Sequence, residues 1–566
     1  MHKSSKNPLH PGVLEAQAQL MQGRISRREF LRLATLLGTG FASASLLAAC
    51  GSPQSAAPPT APAATPTPSP IRRGGTLRFG MKIPAADHPA RLAWGEGRNV
   101  FSQLFEYLAE TDAQNITHPH LLESWTASDD LTVWTLKLRE GIRWSNGDEL
   151  VAEHVLYNFT AWFDPDIGSS ILGLWSGFLT LDGVEQVDRY TLRLNLLQPK
   201  LDVPENLYHT SAIIVHPSFD GDIASGANAS TGPYRLAEYV EGERARLERR
   251  TDYWQIGADG DPLPYLDTVE FLSLGDDPTA YVAALQTGQL HTFYEPGPES
   301  IQALQSDERL KIYAVDTAKA RVLRMRVDQE PFSDVRVRQA IRMVQDREAI
   351  LEVAVFGEGL LGHDVHVAPV HPEFAPMELP AYDPEGAKAL LAEAGYSDGL
   401  DLTLAVGAGW PDVVAYAESL QQTGQAAGLN IAIETMPNPA YWEIWAETSF
   451  GITPWTHRSL AVMQLALAYT ADSEGKPGAW NETRWVDEEF SAILTEALGT
   501  IDVDARRVLM ADLQRIMLER GPIGIAWWQR AWEVFNPAFQ GIYAHPTLHS
   551  IYLRTAWYDP EQDPFV

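Results

Sequence analysis

Arginine recurs wherever this chain could do chemistry. The run Arg321-Val322-Leu323-Arg324-Met325-Arg326-Val327 puts three guanidinium groups in one short stretch. Facing a cleft, they would suit a carboxylate or phosphate through paired N–H···O bonds. Alternatively, Arg326 or Arg321 pairs with surface Asp or Glu. We expect one of Arg321 and Arg324 to face the cleft. A second run, Gly451-Ile452-Thr453-Pro454-Trp455-Thr456-His457-Arg458-Ser459, sets an indole, a hydroxyl, an imidazole and a guanidinium side by side. A buried guanidinium without a partner is costly, so Arg458 calls for an anion, from a ligand or from a neighbour such as Glu295. A third group, His363, His366 and His371, lies in one Pro-bounded segment. Imidazole suits Zn, Ni and Cu, but this spacing fits no common metal motif, and no metal is expected. Gly475-Lys476-Pro477 lacks the upstream glycine and the Ser/Thr of a phosphate-binding loop, and neither Gly-x-Ser-x-Gly nor His-Glu-x-x-His occurs. A dispersed triad leaves no such local signature. The inventory reads as binding, with no enzyme activity and no cofactor.

The elements that must position these residues are legible from periodicity. Leu77, Phe79 and Met81 alternate as in a half-buried strand, as do Thr132, Trp134, Leu136 and Leu138, and Tyr190, Leu192, Leu194 and Leu196. The early region is therefore β-rich. Asp383 before Pro384, with Gly395 beyond, predicts a capped helix. Leu402, Leu404 and Val406 alternate, a helical stretch follows from Pro411 to Ala427, Gly428 stops it, and Leu429, Ile431 and Ile433 alternate again. Strand, helix, strand predicts a parallel βαβ unit. Asp502 to Gly521 reads as another capped amphipathic helix, so the late region is α/β. His154 falls in an apolar helical pattern and reads as a satisfied surface or groove histidine.

At 566 residues the chain is long enough for two or three packed lobes, and its formal charge of −31 disfavours a phosphate backbone as partner, which removes nucleic acid from consideration. Cys50 is the single cysteine, so no internal disulfide and no thiolate metal cage is expected. Its surroundings explain it. Ser26-Arg27-Arg28-Glu29-Phe30-Leu31-Arg32 precedes an uncharged stretch from Leu33 to Ala49, which ends in Leu47-Ala48-Ala49-Cys50. The twin arginines Arg27 and Arg28 resemble a twin-arginine (Tat) export signal, and Leu-Ala-Ala-Cys resembles the lipobox of bacterial lipoproteins. Residues 1–49 are thus expected to be a signal peptide and 50–73 a lipidated cysteine on a Pro-rich tether. The alternative, a short transmembrane anchor, is disfavoured because the run falls short of the ~20 residues a span needs. Cleavage would remove six Lys/Arg and two Asp/Glu, leaving a charge of −35.

Longer blocks carry a family resemblance. His118-Pro119-His120-Leu121-Leu122-Glu123-Ser124-Trp125, Gly141-Ile142-Arg143-Trp144-Ser145-Asn146-Gly147, Thr231-Gly232-Pro233-Tyr234 and Pro331-Phe332-Ser333-Asp334-Val335-Arg336 resemble blocks of the peptide/nickel (family 5) solute-binding proteins of ABC importers. The resemblance runs in order from about residue 75 to 545. It implies an α/β, periplasmic-binding-protein type II-like fold, two main lobes with an extra β-rich lobe, hinged around a central cleft. By analogy lobe I comprises 74–111, 213–318 and 531–566, lobe II 112–212, and lobe III 319–530. It also implies a monomer that delivers a peptide, conjugated amino acid or similar solute to ABC permease and ATPase subunits at the outer face of the cytoplasmic membrane. Position relative to the family blocks implies that Trp94, Glu96, Trp175, Tyr294 and Glu295 line the lobe interface, with core packing the alternative for each tryptophan. In peptide binders of the family the tryptophan matching Trp455 is followed three residues later by an aspartate that pairs with the peptide's ammonium. Here that position is Arg458, which reverses the sign of the anchor and puts a peptide held by its free amine in doubt. A sensing receptor of the same fold and a secreted hydrolase are the rival functions.

Overall fold

The computed structural model describes residues 71–92, 95–471, 475–478, 480–547 and 551–565. The export signal at Arg27 and Arg28, the cysteine at Cys50 and the candidate ligand residue Trp94 lie outside them.

One eleven-stranded sheet organises the chain from Pro70 onward. One end is built by Thr76–Gly80, parallel to Thr268–Leu272 and to Thr292–Phe293, with the antiparallel strands Arg244–Arg249 and Tyr234–Val240 beyond. Leu77 and Phe79, the alternating residues, are fully buried here. The other end is built by Leu429–Met436, Leu400–Gly407 and Phe450–Trp455. Two long antiparallel strands, Lys311–Met325 and Ile523–Phe535, belong to both ends. Their pairing slips register between Asp316 and Ala320 and again between Ala320 and Val322. Such irregularities bend a strand and increase its twist, so the sheet turns at this place. Thr317 Oγ1 donates to the Gln529 carbonyl across it at 2.7 Å.

The βαβ unit read from the sequence is present. Leu400–Gly407 pairs in parallel with Leu429–Met436, from Leu400 opposite Leu429 to Gly407 opposite Met436. Helix Pro411–Gly424 connects them, with proline in its first turn, and Gly428, at φ 86°, ends the short 3-10 turn that follows. The strand buries Leu402, Leu404 and Val406 against Val413, Tyr416 and Leu420 of the helix, and each such side chain contributes about 1.5–3 kcal/mol. The Asp383-capped helix runs Pro384–Glu393, its cap carboxylate accepting from the Gly386 amide at 2.8 Å. Asp502 caps helix Val503–Arg520 in the same way. Phe450–Trp455 runs parallel to Leu400–Gly407, Gly451 lying opposite Ala405. The loops following Gly407 and Trp455 therefore emerge side by side at the carboxyl ends of parallel strands, where open α/β sheets bind ligands.

A separate four-stranded antiparallel sheet, Leu122–Ala127, Val133–Leu138, Thr191–Asn195 and Val184–Gln186, accounts for the early β-rich reading. Leu136, Leu138, Leu192 and Leu194 on it, and Phe159 and Trp162 of helix Ala152–Phe163, all belong to one buried cluster. Trp175 belongs to this core. It is fully buried, with its ring 6.3 Å from Phe159, which corrects the expectation that it lines an interface. Among the described helices none is long and apolar enough to cross a membrane.

Candidate functional site: two cavities along one edge of the sheet

The first cavity, about 410 Å³, is closed by the loop Glu295–Glu299, by Lys319 and Arg321 on the long strand, by Trp410 and Asp412 after the carboxyl end of Leu400–Gly407, and by Gln529–Trp532. It is lined with charge, and the charges are matched. Lys319 Nζ lies 2.7 Å from Glu295. Arg321 Nε donates to Asp412 Oδ2 at 2.6 Å, and Gln529 Nε2 donates to the same oxygen at 2.8 Å. Asp412 sits in the first turn of its helix, where the helix dipole favours an anion. Arg530 reaches Asp316 at 2.9 Å and Glu358 at 2.6 Å. Glu295 holds left-handed backbone at φ 50°, a conformation that costs a non-glycine residue on the order of 1–2 kcal/mol. Trp410 packs edge-on against Tyr441 and Trp442, which fixes its ring at the mouth.

The second cavity, about 220 Å³, lies at the loop after Trp455. Thr456, His457, Arg458 and Ser459 line it, opposite Arg98 of helix Gly95–Phe101 and Glu205, Tyr208 and His209. Its walls are tied down. His457 accepts from the Ala318 amide at Nδ1 (3.0 Å), so its proton sits on Nε2, which donates to Asn115 Oδ1 at 2.8 Å. Burial drives this imidazole far below its ordinary pKa, keeping it neutral. Asn115 Nδ2 in turn donates to the Ser459 carbonyl at 2.9 Å, and the Ser459 and Tyr208 hydroxyls meet at 2.8 Å. Arg98 donates to Tyr107 Oη at 3.0 Å and to the Tyr208 carbonyl at 3.1 Å. Arg458 differs. Only its carbonyl is engaged, accepting from His371 Nε2 at 3.1 Å. Its guanidinium, half-buried, makes no hydrogen bond and no ion pair among the described residues. Burial holds its pKa below the arginine norm, with Tyr208 and Asp202 pulling the other way. Glu205 accepts from Thr117 Oγ1 at 2.9 Å. Burial, with Asp202 beside it, pushes the Glu205 carboxyl up to about 7.

The residues anticipated from sequence divide between these places. Glu295 and Arg321 line the first cavity, and Thr456, His457 and Arg458 the second. Arg324 faces neither. It is fully buried behind the strand, its Nε 3.5 Å from Glu482, with Nη2 donating to the Trp445 carbonyl at 2.6 Å. Trp455 is buried on the same carboxylate, Nε1 donating to Glu482 Oε1 at 2.8 Å. Arg326 takes the bland alternative, pairing with Asp328 at 2.7 Å and Glu447 at 2.9 Å. Glu96 and Tyr294 are half-buried and near enough for Glu96 to act on the tyrosine hydroxyl, but neither is among the residues lining the two cavities. The three histidines stay apart in role: His371 bonds backbone, while His366 lies 3.1 Å from Tyr469 Oη and is pushed down by burial to about 3. Among the described residues no group of three or more His, Cys, Asp or Glu could hold a metal. His154 accepts from Trp144 Nε1 at 3.0 Å.

Sequence reasoning missed Lys319, Trp410, Asp412, Arg530, Glu205 and Tyr208. For Trp410 and Asp412 a signal existed, because they directly follow a strand of the βαβ unit and open its helix. For the others nothing local marks them.

The family model for bacterial extracellular solute-binding proteins, family 5 (middle), matches residues 117–469, more than half of the chain. The glutathione-binding protein GsiB of Pectobacterium atrosepticum is 26% identical over 410 residues, covering 70% of this chain and 77% of that protein. HbpA2 from Haemophilus parasuis superposes with a TM-score of 0.75 at 21% identity, covering 86% of this chain and 100% of that one. DppA from Helicobacter pylori, in complex with the peptide STSA, gives 0.69 at 20% identity, covering 86% and 98%. These structures share the type II periplasmic-binding-protein fold of mixed sheet and helix. On the family match, and with a fold shared over 86% of its length, this chain belongs to the bacterial extracellular solute-binding proteins, family 5.

Proposed function

We propose that this protein is the non-enzymatic solute receptor of an ABC importer, capturing a peptide or peptide-like solute by hinge closure and passing it to a membrane permease and its ATPase. The observation that carries this reading is the joint in the sheet. The ends of the sheet communicate through two long strands whose register breaks between Asp316 and Val322, and both cavities draw residues from both sides of that joint. A ligand touching both sides shifts the open–closed equilibrium by its differential affinity for the closed form. The lobes are 74–111, 213–318 and 531–566; 112–212; and 319–530. The relatives named for glutathione, and the neighbour holding a tetrapeptide, support a small peptide-like solute. Small-angle scattering should show compaction when such a solute is added and no product afterwards, and turnover of the bound compound would overturn the receptor reading.

The N-terminal signals complete the proposal: export through Arg27 and Arg28, then lipidation of Cys50, holding the receptor at the outer face of the cytoplasmic membrane. The Cys50→Ser protein should leave the membrane fraction and incorporate no labelled fatty acid. Replacing Arg27 and Arg28 with Lys should leave precursor in the cytoplasm, and normal secretion of that variant would point to the Sec route.

A further inference from the structure

The arginines around the sheet edge are paired one by one with carboxylates: Arg321 with Asp412, Arg530 with Asp316 and Glu358, Arg326 with Asp328, and Arg324 with Glu482. Arg458 breaks the series. Its guanidinium, five N–H donors in a rigid fork, is held half-buried on a short loop whose neighbours on either side, His457 and Ser459, are both hydrogen-bonded into place. The carboxyl that lines the same cavity does not serve it. Glu205 accepts from Thr117 instead, and burial together with Asp202 keeps it protonated until about pH 7. In a chain with a net charge of −31, a cation left unmatched in a cavity is not explained by any shortage of carboxylates.

We propose that the cavity at Arg458 is an anion-recognition subsite: the acidic group of the solute, carboxylate or phosphate, supplies the partner the protein withholds, and the receptor selects acidic solutes. At about 220 Å³ the cavity is smaller than the roughly 300–1,000 Å³ of a whole small-molecule site, so it takes one end of the solute. The rest extends toward the first cavity, whose matched pairs supply polar contacts without net demand for charge. The exposed Thr456 hydroxyl stands at the rim as a further donor. Tyr208, whose hydroxyl is engaged by Ser459 and whose carbonyl is engaged by Arg98, forms a fixed wall rather than a competing anion, since burial raises its pKa above the phenolic norm. This inference rests on the receptor reading above and adds to it the charge of what is received.

The test uses pairs of solutes matched in size and differing in charge: glutathione and glutathione diethyl ester, glutarate and glutaramide, glucose 6-phosphate and glucose. Binding is read by calorimetry and by the ligand-induced rise in Tm, on wild type, Arg458→Gln and Arg458→Lys. The expected result is that the wild type prefers an acidic member at least tenfold over its twin without the acidic group. Arg458→Gln abolishes that preference, and Arg458→Lys keeps part of it. The carboxylate and phosphate pairs distinguish the two sources of charge. Equal affinity within every pair, an acid preference that survives Arg458→Gln, or binding by no acidic member overturns the subsite. Twins without the acidic group that compact the protein and bind as tightly as the acidic members would leave the receptor reading standing while removing the anion subsite, so the two failures are distinguishable. Arg458→Gln should fold as wild type does, because the side chain it removes bonds nothing among the described residues, and unligated Tm checks this.

Discussion

The two cavities use the same side chain in opposite ways. In the larger one Arg321 is locked between Asp412 and the strand, and every cation facing it has a carboxylate within hydrogen-bonding or ion-pairing distance. In the smaller one Arg458 has none among the described residues. A paired arginine has its charge satisfied before any ligand arrives, and an anion must then compete with the internal carboxylate. An unpaired one gives its full charge to the ligand, at the cost of holding a partly desolvated cation in the free state. The lesson is that arginine count says little about ligand charge, whereas arginine pairing says a great deal.

The comparison can be broken hardest at a deeply buried pair, Arg324 with Glu482. Replacing Arg324 with Met leaves Glu482 buried with Thr453 and Trp455 as donors but no cation, and should cost about 3–5 kcal/mol of stability by urea unfolding. Arg458→Gln in the same assay should stay within about 0.5 kcal/mol, as surface-like changes do. Equal losses would mean that Arg458 is a structural residue after all. Next in size is a conversion of one cavity into the other. Asp412→Asn removes the carboxylate from Arg321 and should cost about 1.5–3 kcal/mol, the range for a hydrogen bond to a charged group. It should also give the larger cavity an affinity for glutarate that the wild type lacks there, seen in calorimetry as glutarate binding regained by the Asp412→Asn, Arg458→Gln double variant relative to Arg458→Gln alone.

Glu205 sharpens the comparison through pH. Its folded pKa of about 7 stands above the ordinary carboxyl value, so the folded state holds more protons than the unfolded one between about pH 4.5 and 7. Stability is therefore lost as pH rises through that window and levels off above it. The groups acting on it are Asp202, Glu373 and Thr117. Glu205→Gln should be nearly neutral at pH 5 and stabilising by about 1–3 kcal/mol at pH 8, measured by thermal unfolding at both values. An effect that is the same at both pH values would mean the carboxyl is ionised throughout. The smallest effect is expected at the rim of the first cavity: Lys319→Ala, which breaks the exposed pair with Glu295, should cost only about 0.2–1 kcal/mol and less still in 1 M salt.

Much of this architecture was legible one residue at a time. The Asp383 and Asp502 caps, the stop at Gly428 and the alternation of Leu402, Leu404 and Val406 are signals between near neighbours, and each element appears where those signals place it. The family blocks likewise survive as sequence. The site was legible only in part. Arg321, Glu295 and Arg458 line the candidate cavities, but Trp175 and Trp455 went to the core because an indole serves a cleft and a core equally well, and in a chain with seventeen of them type alone cannot choose.

The sequence by itself determined the elements, the order of the strands within the βαβ unit, and the family. Tertiary structure decided that Arg321 is paired and that Arg458 has no carboxylate partner among the described residues. Arg321, on a long strand, meets a carboxylate 91 residues away on the helix of the βαβ unit, and Arg98, on a helix, meets a carbonyl 110 residues away. Periodicity reports which face a side chain takes, because that depends on its neighbours in sequence. It carries no record of which distant carboxylate will face it, because that is set by how the strands are ordered across the sheet.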